Sequence, residues 1–124
     1  MVTKRFQELQ VYQLSERLAD DIWRIVDGWD VFAKSTIGQQ IVRSADSIGA
    51  NIAEGFGRGS YQENKRFVKI ARGSLNETQH LLRRAYTRHL LTPEQIKSIQ
   101  IIINELAPKL NSYLNSIGQL PHNK

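Results

Sequence analysis

Apolar residues recur at steps of three and four along four long stretches of the chain, and almost nowhere alternate one-for-one with polar residues. In the first stretch Val11, Leu18, Ile22, Ile25 and Trp29, flanked by Tyr12, Ala19, Trp23 and Val26, keep the period of an amphipathic helix. The second carries Ile37, Ile41, Ala45, Ile48 and Ile52, and the third Phe67, Ala71, Ser74, Thr78, Leu81 and Ala85. The fourth carries Ile96, Ile99, Ile103, Leu106, Leu110, Tyr113 and Ile117. A half-buried strand needs a period of two instead. The pattern therefore predicts helices over about residues 8–28, 36–55, 60–90 and 93–117.

Punctuation residues refine the ends. Gly28 and the irregular residues 30–35 are expected to close the first helix, and Thr36 with Gln39 makes a capping-box pair that opens the second. Gly55 is expected to end the second helix by turning left-handed, which satisfies the last carbonyls at no steric cost. Ser60 with Glu63 reads as another capping box. Thr92-Pro93-Glu94-Gln95 joins a cap hydroxyl, a proline where no N–H is missed and an acidic residue favoured by the helix dipole. Pro108 removes one hydrogen bond and crowds the preceding turn, which predicts a kink near residues 104–108. Gly38, Ala45, Gly49 and Ala53 would let a neighbouring helix come close. Gly73 costs about 1 kcal/mol against alanine in mid-helix, and is read as a second close contact, with a flexible joint as the alternative. Short connections and the lack of a strand pattern make the expected fold all-α, an antiparallel up-down four-helix bundle, as a single domain over residues 1–124.

Charge changes this picture. The net charge of +5 is unevenly placed: residues 1–57 carry 6 basic and 8 acidic groups, residues 58–89 carry 8 and 2, and residues 90–124 carry 3 and 2. The excess is therefore on the third helix, where Lys65, Lys69, Arg72, Asn76, Gln79 and Arg83 step by four and three, with Arg66, Arg84 and Arg88 beside them. Acidic residues that would pair with this ridge at helical spacing are nearly absent. Such a row suits nucleic-acid phosphates, because each cation that meets one releases a condensed counterion. It equally suits an ordinary solvated face, and both readings stand. Tyr61 and Tyr86 are the aromatics placed to stack on bases, or to pack on a neighbouring helix. On the second helix Arg43, Ser47, Asn51 and Glu54 share one face opposite the isoleucines, a candidate oligomer interface, and Arg43 is spaced to pair with Asp46.

The glycines of residues 55–60 do not make a nucleotide loop. A helix rather than a strand precedes them, and their spacing fits neither a dinucleotide fingerprint nor a P-loop. They read as a hinge, with Arg58 and the next helix N-terminus as auxiliary phosphate contacts. The chain has no cysteine, which excludes a disulfide scaffold, a thiolate metal site and a thiol nucleophile. The N-terminal residues resemble no signal peptide, and no apolar run approaches the roughly 20 residues of a membrane span. A cytoplasmic protein that uses no membrane is expected. His80 and His89 project from nearly opposite sides of one helix and His122 lies near the C-terminus, so no metal pair is expected. Asp20, Asp21, Asp27 and Asp30 form an acidic surface cluster at most. With no Ser/His/Asp grouping by spacing, the expectation is a protein without cofactor that is not an enzyme.

The run Ile41-Val42-Arg43-Ser44-Ala45-Asp46-Ser47-Ile48-Gly49-Ala50-Asn51-Ile52-Ala53-Glu54-Gly55-Phe56-Gly57-Arg58 resembles the signature of the 23S rRNA intervening-sequence protein family. Phe67-Val68-Lys69-Ile70-Ala71-Arg72-Gly73-Ser74-Leu75 resembles its second hallmark, and Phe6-x-x-Leu9-x-Val11-Tyr12 its opening. Departures are mild: Tyr12 replaces a usual tryptophan, Gln10 a frequent lysine and Gly59 a second basic residue. The resemblance implies a bundle that assembles into a ring-shaped homopentamer, encoded in some bacteria within insertions in the large ribosomal RNA gene. The family is similar to accessory variability determinant proteins of diversity-generating retroelements, which implies a nucleic-acid and a protein partner. Two functions follow. One is RNA or DNA binding through Lys65, Arg66, Lys69, Arg72, Arg83, Arg84 and Arg88 with Arg58; the other is a protein-interaction scaffold whose charges only keep it soluble.

Overall fold

The computed structural model describes residues 5–119; His122 and the residues before Arg5 lie outside that range. After a 3₁₀ turn at Phe6–Glu8, helix α1 spans Gln10–Asp27. Helix α2 covers residues 31–56: it opens as Val31–Ala33, widens into a π-helical turn at Lys34–Gly38 and continues as Gln39–Phe56. Helices α3, Tyr61–Thr87, and α4, Pro93–Ser116, complete a helical bundle without strands among the described residues. α1 packs on α2 and α4, and α3 packs on α2 and α4, so each helix buries its apolar stripe between two neighbours.

Leu18, Ile22, Ile41, Ile48, Ile52, Leu75, Leu106 and Leu110 are almost wholly removed from water at the centre. Each such side chain contributes on the order of 2 kcal/mol by its burial. On α3 the buried stripe is Val68, Ala71, Leu75, Thr78, Leu81 and Ala85. It is turned slightly from the expected one, so Phe67 and Ser74 are only half-buried and Val68 and Leu75 take the centre.

The start of α2 differs from the sequence expectation. Asp30, not Thr36, is the cap: its carboxylate accepts the Ala33 N–H at 2.9 Å, which starts the helix more than a turn early. The Thr36 hydroxyl donates instead to the Phe32 carbonyl at 2.7 Å within the helix. Val31 and Phe32 were unreadable as helix because, though apolar, they point to solvent at 82% and 78% exposure. Glycine at position 38 is needed inside the π-helical turn, since a Cβ there would meet Val26 Cγ1 at 2.8 Å.

At the other end, Gly55 is an internal helical residue and not the left-handed cap. The helix runs on through Phe56 and closes at Gly57 in a right-handed conformation, while the left-handed glycine of the turn is Gly59, at φ 85°. What Gly55 supplies is space: a Cβ would lie 2.9 Å from Phe67 Cβ and 3.0 Å from the Asn64 carbonyl, so α3 crosses α2 here on bare backbone. Gly73 behaves in the opposite way. A Cβ there would meet nothing within 4 Å, and the expected close contact is absent among the described residues.

Ser60 and Glu63 form half a capping box. Ser60 Oγ accepts the Glu63 N–H at 3.1 Å, but the Glu63 carboxylate turns away to arginines. The reciprocal box is at α4, where Thr92 Oγ1 accepts the Gln95 N–H at 3.1 Å and Gln95 Oε1 accepts the Thr92 N–H at 3.0 Å. α3 stops at Thr87, three residues short of expectation. His89 adopts φ 62°, and the Leu90 N–H donates back to the Ala85 carbonyl at 2.9 Å, the wrapped ending that glycine usually serves. Trp29 Nε1–H donates to the Leu90 carbonyl at 2.9 Å and ties this ending to the connection between α1 and α2. Pro108 lies inside α4 without interrupting the element; it is solvent-exposed, as is Asn104, so water can reach the carbonyl left unpaired.

Candidate nucleic-acid interface

The basic ridge divides into two parts. At its N-terminal end Arg66 Nε and Nη2 each donate to the Glu63 carboxylate at 3.2 Å, and Arg58 lies 3.5 Å from Glu54 and 3.9 Å from Glu63. The Phe67 ring is within cation–π reach of both guanidinium groups, 4.9 Å from that of Arg58 and 4.6 Å from that of Arg66. The hydrogen bond from Arg66 holds the Glu63 carboxyl below its ordinary range, with the charges of Arg66 and Arg58 adding to it and desolvation opposing. This end of the ridge is therefore partly neutralised. The pairs are exposed and screened by solvent, so they add little to stability.

Further along, Lys69, Arg72, Arg83 and Arg88 are exposed and Lys65 and Arg84 half-buried. None of these six pairs with a carboxylate among the described residues. Arg72 Nη1 donates to Asn111 Oδ1 of α4 at 3.3 Å, a neutral partner that orients the guanidinium without cancelling its charge. Gly73 lies on this same outer face, at helical spacing from Lys69 and Asn76.

The polar line of α2 has a different use. Ser47 Oγ accepts from Asn51 Nδ2 at 2.9 Å and from the Ser74 hydroxyl of α3 at 3.0 Å, and Glu54 is drawn to Arg58. Ser47 therefore engages α3 within the same chain and Asn51 turns back onto Ser47 of its own helix; Arg43 is exposed and makes no ion pair with Asp46. Deeper in the same seam the Thr78 hydroxyl donates to Ser44 Oγ at 2.9 Å, and Ser44 donates on to the Ile41 carbonyl at 3.1 Å. The acidic cluster of α1 separates as well: Asp21 pairs with Arg24, Asp27 with Lys34, and Asp30 caps α2. Asp20 faces Asp46, whose carboxyl is pushed up by burial and then by that like charge.

Two surface features had no sequence signal. A groove of about 750 Å³ runs between α3 and α4, floored by Leu82, Ile96, Ile99 and Ile103 and edged by Arg83 and Tyr86. At the α1–α2 corner Trp23, Val31 and Phe32 stand in water at 61%, 82% and 78% exposure, and Trp23 and Val31 line a second groove of about 530 Å³. The sequence pattern places Trp23, Ile96, Ile99 and Ile103 on helix faces and Val31 and Phe32 in an irregular connection, and their exposure depends on where the neighbouring helices stop. Among the described residues no three His, Asp or Glu groups converge on a metal position, and no helix is long and apolar enough to cross a membrane.

The class is a small helical bundle, without strands among the described residues, with a cationic face on α3. The chain belongs to the 23S rRNA-intervening sequence protein family, whose model matches residues 7–112. A solved structure from Bacteroides thetaiotaomicron, described as a protein of unknown function from the S23 ribosomal protein family, superposes with a TM-score of 0.74. It is 28% identical and covers 84% of this chain and 97% of its own. No curated protein matches significantly.

Proposed function

We propose that this protein is a non-enzymatic, homo-oligomeric, cytoplasmic bundle that binds RNA or DNA through the outer face of α3. Lys65, Lys69, Arg72, Arg83, Arg84 and Arg88 meet phosphates, and Arg58 and Arg66 are auxiliary because Glu54 and Glu63 offset them. The observation that carries this reading is the row of cations without carboxylate partners. Gly73 supports it: nothing within the subunit explains a helix-weakening glycine there, and a missing side chain lets a phosphate backbone approach. The family's name, which refers to 23S rRNA, agrees with a polyanionic partner. The up-down antiparallel course belongs to the same proposal, supported by connections confined to residues 28–30, 57–60 and 88–92. So do the ring of five that the family resemblance implies and the kinship to accessory variability determinant proteins, the latter by analogy only.

Titration of a structured RNA at about 50 and 200 mM salt tests it. If the row engages about six phosphates, affinity falls about a thousandfold between the two, and reversing Lys69 and Arg72 to glutamate abolishes binding at the lower salt. No binding at low salt rejects the reading. The exposed corner of Trp23, Val31 and Phe32 favours a second reading, a protein-interaction scaffold without nucleic-acid binding, because contiguous apolar surface marks protein contacts. Light scattering coupled to chromatography measures the assembly, and a monomeric mass rejects its oligomeric part.

A further inference from the structure

We infer that the groove between α3 and α4 receives an unpaired base of a bound RNA, stacked on Tyr86 while the flanking phosphates meet Arg83 and its cationic neighbours. This rests on the reading of α3 as a nucleic-acid face and narrows it from any polyanion to unpaired strands. Arg83 belongs both to the cationic row and to the groove wall, so the two features merge at one residue. Tyr86 follows three positions later on the same wall and leaves 58% of its surface in water. The floor beneath is apolar, and at about 750 Å³ the groove falls within the range of small-ligand sites.

A duplex would satisfy only half of this surface. Its phosphates can lie along Lys69, Arg72 and Arg83, but its bases are stacked on one another and leave the apolar floor wet. An unpaired base presents a π-face to Tyr86 and covers the floor, and its edge reaches Gln79 and His80, whose side chains hold no hydrogen bond among the described residues. Charge complementarity with Arg83, Arg84 and Arg88 selects a polyanion over an apolar ligand. RNA is the fitting source, since folded RNA exposes bases in loops and bulges where aromatic side chains take them up.

The test uses the full chain and two RNAs with equal numbers of phosphates, a hairpin with an open loop and a fully paired duplex. A 2-aminopurine in the loop reports stacking. The hairpin should bind about tenfold more tightly than the duplex, with the fluorophore quenched, as one base–aromatic stack supplies. Tyr86→Ala should remove the preference and leave duplex affinity unchanged, while Tyr86→Phe should keep it; circular dichroism checks that both variants fold. Equal affinity for the two RNAs, or a preference that survives Tyr86→Ala, overturns the inference and leaves the phosphate reading standing. Failure of both RNAs to bind at low salt overturns that reading, and this inference with it.

Discussion

The two flanks of α3 are built on different principles. Toward α2 the helices meet through Gly55 and small hydroxyl residues, with Ser44 bonded to Thr78 and Ser47 to Ser74 across the seam. Toward α4 the facing residues are long, Leu82 and Tyr86 against Ile96 and Ile99, and the helices stand apart over a groove. Small side chains allow backbones to approach and dispersion contacts to multiply, whereas long ones hold the axes apart and leave gaps where they do not interdigitate. The tight flank brings two backbones together; the open flank leaves a groove lined by apolar side chains.

Substitutions can break this contrast. Gly55→Ala should have the largest effect: its methyl would press on Phe67 Cβ and on the Asn64 carbonyl, which is main chain and cannot rotate away. We expect a loss of about 2 kcal/mol in urea unfolding, and an unchanged midpoint would mean that the seam is looser than described. Thr78→Val keeps shape but leaves Ser44 without its donor partner, and should cost about 1 kcal/mol by the same measurement. Gly73→Ala, on the outer face where neither flank reaches, should stabilise by about 1 kcal/mol, the helix-propensity difference. The same variant should weaken RNA binding, because the new methyl occupies the approach to the ridge; a stabilised variant with unaltered affinity would detach Gly73 from the interface.

The smallest effect is one of pH. Asp46 has a raised carboxyl pKa in the folded state, from burial and then from Asp20. A group raised on folding favours the fold while protonated, and that contribution is lost as pH rises through the folded value. Asp46→Asn should therefore raise the melting temperature slightly at neutral pH. The gain should shrink toward zero as pH falls below the ordinary carboxylate range, about 4; a gain that persists in acid would rule out ionisation as its cause.

Much of the architecture was readable because its signals are local. Ile41, Ile48 and Ile52 of α2 and Ile99 and Ile103 of α4 mark the buried faces by period alone, and Thr92-Pro93-Glu94-Gln95 contains every atom that its cap uses. The start of α2 was missed because Asp30 competes with Thr36 for the same role, and because Val31 and Phe32 break the amphipathic pattern. For the candidate site, the cations of α3 were legible as a row, but their pairing was not. Arg58 meets Glu63 across a turn whose path no spacing rule gives, while Arg83 gains a groove only because α4 stands off from α3.

By itself, then, the sequence determined which faces are apolar, which helix carries the positive charge and where α4 begins, since period, composition and caps act within a few residues. Only the tertiary structure decided that Gly55 is a crossing point and Gly73 is not, which arginines are neutralised, and that a groove opens beside Tyr86. Those outcomes depend on distances between helices, and such distances are set jointly by side chains far apart in the chain.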